Sequence, residues 1–231
     1  MFNTLRRSVA GLTLTFSLVL ALQEVSVQPL PNKCSSFPSY NNSTGIAGPW
    51  KVVADSTGSA FDGFNVSAET FTNNGVDRFG FITLPKSPNR GNVSGQSVPL
   101  RCTTITTNNT GPSSPILLEP QLQAFVRSQW VDISIASLEN WQSSFSFGMP
   151  DPGIQVQPYA HFVNGTRVPG IFLGTKGSTS WKYKFNWGGN AGEYYILRWL
   201  AKGSGGEDLR TRQDFPVIDD RDYVGFLKLD R

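Results

Sequence analysis

Histidine is almost absent: His161 is the sole imidazole in 231 residues. Mechanisms that need two imidazoles are therefore excluded, among them copper centres that pair an N-terminal His with a second one. Cysteine is nearly as scarce, with only Cys34 and Cys102. Neither has a nearby His or second Cys, so no zinc-type ligand set is spelled out. Charge is thin as well, 16% of residues against a usual share of roughly 25%. The net charge is +3, and it falls close to neutral once Arg6 and Arg7 are set aside. A nucleic-acid binder needs a basic face, and this composition does not supply one. After the first 21 residues no stretch reaches 18 uncharged apolar residues, so no membrane span follows.

What is present begins with an exported start. Arg6 and Arg7 precede the uncharged run Val9 to Ala21, with Val19 and Ala21 at small-residue cleavage positions. As a helix that run would span roughly 20 Å, short of a bilayer core. We read residues 1–21 as a secretory signal peptide, 22–49 as a lead-in rich in Pro, Ser and Asn, and 50–231 as one domain. The expected location is extracellular. N-glycosylation sequons at Asn41, Asn42, Asn65, Asn92, Asn108 and Asn164 agree with it. In an oxidising compartment an even cysteine pair most simply forms one bridge, Cys34 to Cys102, with two buried free thiols as the other reading.

From Trp50 onward the apolar period is two rather than 3.6. Strands are expected over 50–54, 64–71, 78–84, 98–106, 130–135, 159–163, 166–173, 181–187, 194–201 and 223–229. In the first half, Phe64, Val66 and Ala68 alternate with Asn65, Ser67 and Glu69, which puts the Asn65 sequon on the wet face. Residues 122–130 fit helix or strand. Asn164-Gly165 is the preferred pair of a two-residue type I′ hairpin. About ten short strands with Gly, Pro and Asn turns, and no internal repeat, indicate an all-β fold. The expectation is a single-domain antiparallel β-sandwich of jelly-roll type.

Catalytic motifs fare poorly. His161 lacks a nucleophile elbow nearby and reads as an ordinary strand residue. Glycoside hydrolysis requires two carboxylates across the scissile bond. The in-strand acids Glu69, Asp132 and Glu193 are scattered, and each is ordinarily a solvent-side group; Glu69 with Glu193 is the pair an enzyme would have to use. Asp219-Asp220-Arg221-Asp222 lacks a calcium-loop spacing and reads as a solvated turn. Gly174 to Thr179 lacks the phosphate-loop order. Aromatic rings on a β face can stack on sugars. The alternating Trp181, Tyr183, Phe185 and Trp187 nevertheless read first as one inner sheet face. Trp187, beside Gly188-Gly189, and Trp141 are the turn-side rings that could meet a ligand. No cofactor and no metal is implied.

The leader, Cys34 and Cys102 with Gly48-Pro49-Trp50 between them, and the stretch Gly170 to Trp181 resemble the small secreted glycoproteins of filamentous and mushroom-forming fungi. That resemblance implies an extracellular β protein. Those proteins carry no assigned activity, so no catalytic residue comes with it. The functional expectation is a non-enzymatic wall or surface protein whose partner is a glycan or a host component, with no nucleic acid and, after signal removal, no membrane. The alternative is a carbohydrate-active hydrolase or lyase.

Overall fold

The computed structural model describes residues 25–56, 58–72, 78–85, 97–107, 117–138, 143–149, 153–188, 192–201 and 221–230. The leader over 1–21, Asn92, Asn108 and Trp141 lie outside the described residues. The strands are the expected ones, with 166–173 split in two, together with others that the pattern did not announce: β1 (Val25–Pro29), β2 (Tyr40–Asn41), β3 (Ile46–Asp55), β4 (Ser67–Thr72), β5 (Arg78–Pro85), β6 (Leu100–Thr107), β7 (Leu117–Val126) and β8 (Gln129–Ile135). There follow β9 (Phe145–Phe147), β10 (Gln157–Val163), β11 (Thr166–Arg167), β12 (Phe172–Gly174), β13 (Ser180–Gly188), β14 (Gly192–Trp199) and β15 (Tyr223–Asp230). Among the described residues the only helical element is one 3-10 turn, Cys34–Ser36.

The expected all-β, antiparallel character is present throughout the ladder. Closure was not expected. The ladder runs β15-β13-β14-β5-β9-β8-β7-β6-β3, and β15 then pairs with β3, so nine strands form a barrel. No period-two pattern distinguishes a closed wall from two stacked sheets, because both bury alternate residues.

Nine antiparallel neighbours cannot alternate in direction around a ring, and the register shows how the wall avoids the conflict. Thr83 pairs with both Ser67 and Ile196, and Gly80 with both Thr70 and Phe147. A strand residue has one partner per edge. β14 and β9 therefore share the edge of β5 that faces away from β4, and they meet at a Ser144–Arg198 bridge. Here the wall turns a corner, with the β4–β5 hairpin attached along it. Gly80 sits at this seam because a Cβ would collide with the Phe147 ring and the Glu69 carbonyl.

β15 branches in the same way. Phe226 pairs with Asp55 and Ser180, while Leu227 pairs with Ala54 and Leu173. β12 and β13 are thus successive lengths of one line along β15, interrupted by the tight turn closed at Thr175 and Ser178. β12 also carries β10, β1 and β11 outward from the barrel. Residues 25–49 are consequently no lead-in: β1 is a sheet strand, β3 runs through the expected boundary, and Phe37 stacks on Trp50 at 5.1 Å. The Asn164-Gly165 turn forms as expected, with φ of 50° and 75° between Val163 and Thr166.

Val52, Ile82, Leu84, Leu100, Ile133, Phe145, Trp181, Tyr183 and Leu197 fill the barrel. β4 is not half-wet: Val66 is buried, yet so are Ser67 and Glu69 on its other face. The Ser67 hydroxyl lies 2.9 Å from that of Thr83. Asn65 buries its Oδ1 without a partner, so this sequon is not the exposed one that alternation suggested.

Cys34 and Cys102 are bonded, both buried, across a separation of 68 residues. The bridge ties the segment before β2 to β6. Loop-closure entropy assigns such a link about 4 kcal/mol. Reduction, or Cys34→Ala with Cys102→Ala, is expected to lower the urea midpoint accordingly; an unchanged midpoint would show that the barrel does not depend on it.

Candidate functional site

Strand direction sorts the turns. β3 ends at Asp55, β13 ends at Gly188 and β7 ends at Val126, and pairing makes all three run the same way. The β13–β14 and β7–β8 turns therefore emerge at one end of the barrel. β13 outruns the wall there. Its core-facing residues Trp181 and Tyr183 are buried, Phe185 is half-buried, and Trp187 is 70% exposed. The expectation that all four form one inner face holds for the first two and fails for Trp187, because β13 projects past its neighbour β15 beyond the Tyr183–Tyr223 pair.

Trp187 lies directly opposite Glu193 across the hairpin. Below them is an aromatic floor. Phe61 approaches Tyr195 at 4.8 Å and Tyr223 at 5.0 Å, and Phe185 meets Tyr195 edge-on at 5.7 Å. The exposed Arg221 places its guanidinium 4.0 Å from the Phe185 ring centroid. The Tyr195 hydroxyl is pushed up to about 12, first by burial and then by the charges of Tyr223, Glu193 and Asp222, with Arg221 opposing. Tyr195 stays neutral at ordinary pH, and its buried ring is part of the aromatic floor.

Glu69 and Glu193 are not brought together. Tyr195 faces the core and Tyr194 the other side. Glu193 shares the phase of Tyr195, whereas Glu69 acts on Tyr194, whose hydroxyl is raised by burial, lowered by Asn186 and raised again by Glu69. The two carboxylates belong to opposite faces of the sheet. Asp132 lies elsewhere, on the outer face of β8, where it accepts a hydrogen bond from Gln123. Among the described residues no three His, Cys, Asp or Glu side chains gather where a cation could sit.

Asp222 corrects the solvated-turn reading. It is buried against Lys182, with Nζ 2.9 Å from Oδ2, while Oδ1 accepts the Phe185 N–H at 2.8 Å. Both oxygens are used, which is what a buried carboxylate requires. His161 is also interior: its Nε2 is 2.8 Å from the Thr179 hydroxyl, and its ring lies flat on Phe172 at 3.5 Å. The sequence missed a second surface group, Arg101, Gln123, Phe125 and Trp130 on β6, β7 and β8. Its trace was phase: Phe125 falls in step with polar Gln123 instead of buried Leu122 and Ala124.

The exposed Trp187 and the aromatic floor beneath it thus stand at one end of a closed β-barrel. No family model matches the chain, and no curated protein matches it.

Two outcomes follow for the buried polar groups. Asp222→Ala leaves the Lys182 ammonium buried without its anion and is expected to cost about 3–5 kcal/mol in urea unfolding. Replacing both, as Lys182→Met with Asp222→Leu, should cost less. Burial, and secondarily Lys228, holds the His161 imidazole down to about 4, whereas in the unfolded chain it titrates near 6.5. Between those values the unfolded chain binds the extra proton. Stability is full above about pH 6.5 and declines as pH falls towards 4. Urea midpoints at pH 7 and pH 5 should differ in the parent and differ less in His161→Leu.

Proposed function

We propose that this is a secreted, N-glycosylated barrel protein of a wall or cell surface that binds glycan at its aromatic end without catalysing a reaction. The observation that carries the reading is Trp187, a large ring 70% exposed and opposite Glu193. A pyranose presents apolar C–H groups on one face and hydroxyls at its edge. Trp187 can stack on the first while Glu193 accepts from the second. Arg221 adds a donor at the same rim.

The exposed Asn41, Asn42 and Asn164 support glycosylation, since a sugar on any of them points into solvent. The buried disulfide is compatible with export. Nothing favours the hydrolase or lyase alternative, because its two acids lie on opposite faces.

Trp187→Ala tests the proposal. It removes no core contact, so stability should change by less than about 0.5 kcal/mol. Retention on particulate chitin, cellulose or insoluble β-glucan should fall at least about tenfold, equivalent to roughly 1.4 kcal/mol. Equal retention of parent and variant, or no retention of the parent on any of the three, would overturn it.

A further inference from the structure

Three to five strands around the wall from β13, the outer face of the barrel carries a row built for hydrogen bonding. Arg101 on β6, Gln123 on β7 and Asp132 on β8 are consecutive register partners across the sheet. Arg101 Nε donates to Gln123 Oε1 at 2.9 Å, and Gln123 Nε2 donates to Asp132 Oδ1 at 2.8 Å. The row spans two inter-strand spacings, about 10 Å. One cation and one carboxylate joined through an amide carry no net charge. The next row towards the turn is aromatic: Phe125 pairs with Trp130, their rings 5.2 Å apart. The Arg101 guanidinium lies 4.1 Å from the Trp130 centroid, so the two rows are locked together.

Two features separate this patch from an ordinary sheet surface. Phe125 is 39% exposed, one of few large apolar side chains left in solvent among the described residues. The adjoining turn is also held at a cost. Arg127 and Ser128 both take left-handed backbone, φ of 49° and 66°, at positions that normally take Asn and Gly. The next row on the other side is covered, with Gln155 donating to buried Gln121. The patch is thus an open shelf, with rings at the turn end and fixed donors and acceptors behind them.

We infer that Arg101, Gln123, Phe125, Trp130 and Asp132 form a second saccharide-binding site, for a neutral polysaccharide with equatorial hydroxyls. The inference rests on the glycan-binding reading of the barrel end. Equatorial hydroxyls leave a flat C–H face to lie on Phe125, while the sugar edge meets the guanidinium and carboxylate. Zero net charge in the row selects neutral sugars over uronates or amino sugars. The shelf and Trp187 emerge at the same end of the barrel. Along the wall β13-β15-β3-β6-β7 they are four strands apart in a ring of nine, with the shelf on the outer face, so no single sugar ring meets both. An insoluble particle presents many chains, and engaging both sites on it gains avidity.

The test compares Phe125→Ala, Asp132→Asn and Trp187→Ala with the parent for retention on particulate cellulose and insoluble β-glucan. Both shelf side chains face solvent, and circular dichroism spectra and urea midpoints verify that each variant folds. Retention in Phe125→Ala and in Asp132→Asn is expected to fall about tenfold or more through lost avidity. Parent-like retention of both shelf variants alongside a loss in Trp187→Ala would overturn the shelf and leave the barrel-end site standing. A loss in the shelf variants but not in Trp187→Ala would support the shelf and overturn the barrel-end site. Failure of the parent to bind either polymer would overturn both.

Discussion

The pairing of β15 with β3 is the constraint on which the rest depends. Five residue pairs, from Phe226 with Asp55 to Asp230 with Lys51, join strands from opposite ends of the chain. Without them β3 and β15 would each present an open edge, and a row of unpaired N–H and C=O groups would face water. With them the wall closes around Trp181, Tyr183 and Leu197, which no flat sheet could bury on one side alone. The same strand also carries β12 and β13 on its other edge, so the outer sheet of β1 and β10 is anchored to the barrel through β15.

Closure also explains why the interior is more polar than an apolar pattern suggests. Strands that turn corners at β5 and β15 leave backbone and side-chain groups between layers, where they must find partners. The indole N–H of Trp181 donates to the Leu173 carbonyl at 2.8 Å, and that of Trp199 to the Ser178 carbonyl at 3.1 Å. The Tyr183 hydroxyl donates to the Phe226 carbonyl at 2.6 Å. Lys182 and Asp222 satisfy each other behind the same strand. These contacts specify where β12, β13 and β15 meet, which hydrophobic burial alone, being non-directional, does not.

Much of the strand content was legible. Residues 181–187 declared themselves through strict alternation, the segments near 50–54, 78–84 and 223–229 through short apolar runs, and Asn164-Gly165 declared its turn through the left-handed backbone both residues tolerate. Legibility failed where strands were short or wetted on neither face. β2 and β9 have two and three residues, too few for a period to show. β4 alternates in sequence but is buried on both sides, so its polar phase was misread as wet. Residues 122–130 were ambiguous because Phe125 and Trp130 sit on the solvent phase, where an alternation rule expects polar groups. The candidate site was half legible: Trp187 stood out beside its glycines, whereas the Arg101–Gln123–Asp132 row joins three strands and leaves no linear trace.

The amino-acid sequence by itself determined that the chain forms antiparallel strands, where most of them lie, and which chemistries one histidine and two cysteines exclude. It could do so because side-chain alternation and turn chemistry are local properties, written within a few residues. Only the tertiary structure decided that the ladder closes, that Glu69 and Glu193 take opposite faces, and that Trp187 leaves the core its neighbours share. Those outcomes depend on register between distant strands and on how far one strand projects past another, and neither quantity is encoded at any single position.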